Sequence, residues 1–163
     1  MYTHKHIGID FKTVESVGQL EPHHYKLVLK AREAAWKAYA PYSKFYVGAA
    51  VELDNGEIVL GSNKENASFP AGICAERNAL NYVSDHFPDQ KIVRIAVTAN
   101  PQEFRLIEPV SPCGVCRQVM AEYERVQKQP FEILLTAQEG EVLILNSAVD
   151  LLPFHFYLSQ LKK

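Results

Sequence analysis

The stretch YVGAAVELDNGEIVLGSN, Tyr46 to Asn63, sets two β-rich runs around Asp54-Asn55-Gly56. Asn-Gly supplies the positive φ angles that tight hairpin turns demand, so this stretch predicts a β-hairpin. What flanks it decides the fold class. Upstream, Leu27, Val28, Ala31, Ala34, Ala35 and Ala38 recur at three- and four-residue spacing, and Pro22 suits a first helical turn. This helix should stop near Ala40, because Pro41 follows. Earlier still, Ile7, Ile9 and Phe11 alternate with polar or small neighbours, the pattern of a short half-buried strand added at a sheet edge.

Downstream of the hairpin a helix is expected from Cys74 or Ala75 to about His86, followed by a buried strand over KIVRIAVTA and a second helix from Cys113, or just after it, to about Val126. FEILLTA and EVLILN are two more apolar β runs, and SAVDLLPFHFYLSQL reads as a closing helix. Strands alternating with helices in this order point to a three-layer α/β domain around one mixed sheet of about five strands. The pattern leaves the strand order open.

No repeat or Gly/Ser linker divides the 163 residues, so a single domain over 1–163 is expected, with 1–20 as an N-terminal extension. Apolar residues at 47% and charged residues at 22% match a soluble globular chain. A net charge of -2 with interleaved signs provides no field to gather phosphate backbones or anionic lipid, which argues against a nucleic-acid or membrane role. The N-terminus lacks a signal-like apolar core and no run approaches the ~18 apolar residues of a membrane span, so the expected location is the cytoplasm.

The chain holds three cysteines, Cys74, Cys113 and Cys116, each at an expected helix start behind a loop containing Pro70 and Gly72 or Pro112. Unsatisfied N–H groups and the axial dipole favour negative charge there, so thiols ionise more readily, and thiolates are what bind zinc. Cys113 and Cys116, at i and i+3, share one face of a turn, and Cys74 completes a set of three. Three protein ligands are the count of a catalytic zinc, whose fourth position holds water. Taken alone, CGVC also suits a redox dithiol or a pair of small buried hydrophobes. A histidine closing the site is a further alternative, although His4, His6, His23, His24, His86 and His155 show no ligand-like spacing with the cysteines. Glu76 stands two positions after Cys74, in the same first helical turn, where a carboxylate leans past the helix end toward a metal-bound water. Joined to PCGVC, the CAE triplet reproduces the deaminase pattern of a His or Cys ligand, x, Glu, then P-C-x-x-C.

With these residues in place, the sequence resembles cytidine deaminases of the small, three-cysteine, homotetrameric type. APYSKFYVGAAV, GSNKENASFPAGICAER and SPCGVCRQVMAEYE look like that family's blocks in the family's order, and DLLPFHF resembles its closing segment. The resemblance implies one zinc per chain on Cys74, Cys113 and Cys116, with Glu76 shuttling protons in the hydrolytic deamination of cytidine and 2′-deoxycytidine. It implies that Asn63 and Glu65 bind ribose hydroxyls, and their alternation about Lys64 points both to one side of an extended segment. It further implies that Phe45 packs against the pyrimidine, that the Ala75 N–H meets the base carbonyl, and that Phe156 reaches a neighbouring subunit's site. Three thiolates overcompensate a dication. Arg77, and Gln118 with it, are therefore candidates to offset that charge beside the two helix N-termini.

NKENAS argues against a blasticidin-type deaminase, Cys74 in place of a histidine against guanine and tRNA types, and the near-neutral charge against polynucleotide editing. From other classes, a zinc-stabilised binding module and a redox-sensing dithiol protein remain as rivals. Two departures from the family pattern stand out: Lys64 replaces a usually apolar residue, and about twenty extra residues precede the first helix.

Overall fold

The computed structural model describes residues 1–158 and 161. The hairpin forms where the sequence places it: β2 (Phe45–Leu53) pairs antiparallel with β3 (Ile58–Ser62), Ala49 opposite Gly61. Positive φ in its turn is confined to Gly56, at 85°. Asn55 contributes through its side chain instead, its Oδ1 accepting the Glu57 N–H at 3.0 Å, while the Gly56 N–H donates to the Leu53 carbonyl at 2.9 Å.

β4 (Ile92–Pro101) lies on the other side of β2, also antiparallel. The chain then runs through α3 (Gly114–Gln127) into β5 (Glu132–Leu135), which is parallel to β4, as a helical crossover requires. β6 (Val142–Leu145) turns back against β5, and β1 (Phe11–Val14) pairs with β6 at the edge. The sheet order is β1-β6-β5-β4-β2-β3, mixed as expected, with six strands rather than about five. The added one is the N-terminal edge strand. It begins at Phe11, where the alternation of Ile7 and Ile9 ends, and both of those side chains are exposed.

Two helices flank the hairpin. α1 (Pro22–Ala35) covers one face, burying Leu27, Val28 and Ala31 with Ala50, Ala96 and Leu134. α2 (Ala75–His86) and α3 cover the other, burying Leu80, Val83, Cys116 and Met120 with Ala49, Val51, Ile95 and Ile133. Alternation along each strand thus feeds two cores, and the result is the three-layer arrangement. α1 ends at Ala35, a turn before the expected stop near Ala40.

Close approach of helix to sheet is made possible by one glycine on each face. A Cβ on Gly48 would meet the Ala31 carbonyl oxygen of α1 at 2.0 Å, and one on Gly61 would meet the Ala75 carbonyl oxygen of α2 at 2.2 Å. The position of α2, and with it of Cys74 and Glu76, is set by the missing side chain at residue 61.

The expected closing helix is corrected by the structure. Ser147 accepts the Val149 N–H and starts a 3-10 turn over Ala148–Leu151, after which Pro153 follows and residues 152–157 are not helical. Ser159 and Gln160, the end of that expected helix, lie outside the described residues. Among the described residues no helix is long and apolar enough to cross a membrane.

Under α1 a polar ladder crosses three strands. Arg94 donates to Glu52 at 2.6 Å and to Glu132 at 2.8 Å, and the His24 ring nitrogen lies 3.1 Å from the same Glu132 oxygen. Against a burial that raises it, His24 and Arg94 hold the Glu132 carboxyl below its usual range. His23, His24 and Glu132 come within metal-ligating distance of one another. The Arg94 guanidinium already supplies the positive charge there, so the cluster is an ion-pair network that fixes α1 to the sheet.

Candidate active site

Cys74 and Cys113 sit where the chain leaves extended structure for a helix. Cys74 is the N-cap of α2 and Cys113 that of α3, both in the β region, and neither side chain caps its own helix. Their sulfurs are left to face each other, with Cys116 one turn into α3. The Cys74 and Cys113 sulfurs are 3.8 Å apart and those of Cys113 and Cys116 are 3.6 Å apart. Sulfurs bound at ~2.3 Å around a tetrahedral zinc stand about 3.8 Å from one another, so the three residues fit that ion. Among the described residues no fourth His, Cys, Asp or Glu lies within 4.8 Å of all three. Three protein donors are the count of a catalytic zinc site, where a structural one has four.

The framework holding the sulfurs is stiff. The Tyr123 hydroxyl on α3 donates to the Leu80 carbonyl on α2 at 2.6 Å, and Arg117 donates to the carbonyls of Pro112 at 2.8 Å and Leu151 at 3.1 Å. Glu124, buried at the far end of α3, accepts from the N–H groups of Phe131 and Ala148 and from the Ser147 hydroxyl.

Charge within the cluster is shared unequally. A hydrogen bond from Cys116, another from Cys113 and the nearby Arg77 charge lower the Cys74 thiol to about 6, in spite of its burial. Cys116 is pushed upward, first by the proton it gives to Cys74 and then by burial and the neighbouring Glu76. Three sulfurs this close can take up a dication with release of their protons.

Glu76, in the first turn of α2, is only 4% exposed. Burial raises its carboxyl above the usual range, the Cys74 charge adds to the rise, and its own backbone N–H, the Cys116 thiol and Arg77 oppose it. A carboxyl so placed accepts and returns a proton near neutral pH more readily than an exposed one.

Cys74, Cys113 and Glu76 line a cavity of about 420 Å³ together with Phe45, Asn63, Glu65 and Ala75, and Cys116, fully buried, joins the other two sulfurs from outside that lining. The structure therefore brings together eight of the residues singled out in the sequence. Ala75 is the first residue of α2, so its N–H has no acceptor within the helix. Asn63 Oδ1 accepts the Val47 N–H at 2.8 Å and its Nδ2 donates to the Phe45 carbonyl at 2.9 Å, which locks the side chain to β2 and leaves one amide N–H to spare. Glu65 accepts from the Ser43 hydroxyl and from the N–H groups of Tyr42 and Ser43 at 2.9 and 3.3 Å. The Ser43 bond leads these in holding the Glu65 carboxyl below its usual range, so it stays ionised.

Arg77, Gln118 and Phe156 lie outside the cavity wall. Gln118 is engaged with the backbone of Phe156, donating to its carbonyl at 2.7 Å and accepting its N–H at 3.0 Å. The Phe156 side chain is 56% exposed.

Sequence reasoning missed Ser43, Tyr42 and Phe69. Ser43 is held beside Glu65 by the pairing of Tyr39 with Asn63 and Glu65 and is followed by a left-handed step at Lys44, φ 54°, and no periodicity signals either. Tyr42 and Phe69, 27 positions apart, meet edge to face at 6.2 Å at the mouth of the cavity.

Comparison with known proteins agrees with this geometry. Residues 22–132 match the family model of the cytidine and deoxycytidylate deaminase zinc-binding region. A cytidine deaminase of Halalkalibacterium halodurans is 45% identical over 96 residues, which are 59% of this chain and 68% of that protein. One of Sporosarcina psychrophila is 44% identical over 99 residues, 60% of this chain and 68% of the relative. The crystal structure of a cytidine deaminase from Burkholderia pseudomallei superposes with a TM-score of 0.68 at 38% identity, covering 84% of this chain and all, 100%, of the other. The matched span runs from α1 to the start of β5 and contains all three cysteines and Glu76. On these grounds the chain belongs to the cytidine and deoxycytidylate deaminase family.

Proposed function

We propose that this chain catalyses the hydrolytic deamination of cytidine and 2′-deoxycytidine to the corresponding uridines, releasing ammonia, as a step of pyrimidine salvage in the cytoplasm. The observation that carries the reading is the buried Glu76 carboxyl beside an open three-sulfur cluster, in one cavity lined also by Cys74, Cys113, Asn63 and Glu65. Cys74, Cys113 and Cys116 would hold zinc, which when bound would supply an acidified water as the nucleophile.

The protein's own groups do the rest. Glu76 takes the proton of that water and delivers it to N3 of the pyrimidine as the hydroxide adds to C4, then moves the added hydroxyl's proton to the amine, so that the C4–N bond breaks, ammonia leaves and the C4 carbonyl forms. The Ala75 N–H, at the positive end of α2, receives the base carbonyl. The remaining amide N–H of Asn63 and the ionised Glu65 bind ribose hydroxyls as donor and acceptor. Arg77 offsets the surplus negative charge of the thiolates. Gln118 serves less directly, by fixing the backbone of Phe156.

The family spans nucleosides and deoxycytidylate, and the cavity favours the former. Among the described residues Lys64 is the single cation along its wall, and its ammonium donates to the Lys37 carbonyl. Glu65, ionised and next to it, repels a phosphate. Like-charge juxtaposition costs several kcal/mol, so kcat/KM for cytidine should exceed that for deoxycytidine 5′-monophosphate by at least ~10²-fold. Initial rates with both substrates test this, and equal values would remove the nucleoside assignment.

The same reading takes 1–163 as one deaminase domain with an N-terminal extension, assembled as a homotetramer in which the exposed Phe156 reaches a neighbouring site. One zinc per chain is expected. Chelation of the purified protein should abolish deamination and lower thermal stability together, and added zinc should restore both. Elemental analysis without zinc in active protein would overturn the metal assignment.

A further inference from the structure

Phe45 walls the cavity with a ring that is itself backed by another ring. Phe104, outside that wall, stands with its ring centroid 6.3 Å from that of Phe45 and the two planes inclined by only 24°. Phe104 is 56% exposed, so core formation does not account for its placement. We propose that Phe104 is a positioning residue, and that the loop 102–109 is a brace which holds Phe45 in its base-facing orientation. This inference rests on the nucleoside reading above.

Three anchors fix the brace. At its start the Gln102 N–H donates to the Lys44 carbonyl at 3.1 Å, gripping the left-handed residue immediately before Phe45. In its middle the Leu106 N–H donates to Gln138 Oε1 at 3.0 Å, while Gln138 Nε2 donates to Asn100 and to the Pro101 carbonyl. Arg105 pairs with Glu139 beside it. Gly140, at φ 91°, lets the β5–β6 connection approach this loop, since a Cβ there would fall 2.7 Å from the Ile107 carbonyl oxygen. The loop is thus held against both the start of β2 and the β5–β6 connection, and Phe104 is delivered to Phe45 from that fixed frame.

A left-handed lysine is an unfavourable conformation that persists only under external constraint, and a change at Lys44 would swing Phe45. A ring already ordered by a neighbour loses less freedom when a base stacks on it, which favours binding without touching the chemical step. Aromatic pairs of this geometry shift equilibria by about two- to tenfold.

Steady-state kinetics with cytidine on the zinc-loaded enzyme test the proposal. Phe104→Ala should raise KM about three- to tenfold with kcat within about twofold, the signature of lost uniform binding. Phe104→Tyr should restore the wild-type KM, and Gln138→Ala, which frees the brace, should reproduce the rise. In a Phe45→Ala background, Phe104→Ala should have no further effect, because it acts only through that ring. An unchanged KM in Phe104→Ala, or an equal rise in both backgrounds, would overturn the inference while leaving the functional reading intact. A wild type that does not deaminate cytidine would overturn the functional reading and this inference with it.

Discussion

Replacing Glu76 with glutamine lowers kcat for cytidine by at least ~10²-fold, the scale of general acid–base catalysis, while leaving the zinc content unchanged. The amide keeps the shape and hydrogen-bonding reach of the carboxylate and removes its proton affinity, so the loss reports proton transfer rather than packing. A second consequence follows from burial. The Glu76 carboxyl is held above its usual range in the fold, so in metal-free protein its contribution to stability is fully present below the ordinary carboxylate range. That contribution is lost as pH rises through the elevated value. Metal-free Glu76→Gln should therefore melt higher than the metal-free wild type at pH 7, with the gap closing toward pH 4. A variant with undiminished kcat would remove Glu76 from the reaction, and a gap that widens in acid would reverse the burial argument.

Gly61→Ala is expected to lower stability and activity together, although residue 61 is not part of the cavity lining. The new methyl would lie 2.2 Å from the Ala75 carbonyl oxygen and 2.5 Å from the Ala79 nitrogen, both backbone atoms of α2 that no side-chain rotation can clear. Overpacking costs typically 1–3 kcal/mol, and a backbone collision falls at the upper end, about 3 kcal/mol. For a chain of this size that lowers Tm by about 6–12 °C. α2 must lift away from β3, carrying Cys74 and Glu76 with it, and a displacement of about 1 Å at a reacting group costs on the order of 10²-fold in rate. Thermal melts and kcat should fall together. A variant with wild-type stability and activity would contradict the close approach of α2.

The sequence made the helices and strands legible because burial and periodicity coincide in this fold. Leu27, Val28, Ala31, Ala34 and Ala35 of α1 are all buried, as their spacing demands. The alternation Val47, Ala49, Val51, Leu53 likewise marks one face of β2. The sulfur cluster with Glu76 was legible for a different reason, since few chemistries need Cys-x-Glu and Pro-Cys-x-x-Cys together. What stayed hidden depends on tertiary placement. The strand order follows from crossovers rather than from pattern. Ser43 contacts Glu65 across 22 positions, and Phe104 meets Phe45 through a loop with no regular structure. SAVDLLPFHFYLSQL reads as a closing helix from its apolar content, yet the 3-10 turn ends at Leu151 just before Pro153, and beyond it Gln118 binds the backbone of Phe156.

β1 has a consequence beyond counting strands. It takes up the outer main-chain groups of β6, register running from Phe11 opposite Leu145 to Val14 opposite Val142. Without those four residues β6 would present a bare, apolar template to any passing chain. The leading segment thus moves the sheet edge outward from the apolar β6 to β1, three of whose four residues are exposed.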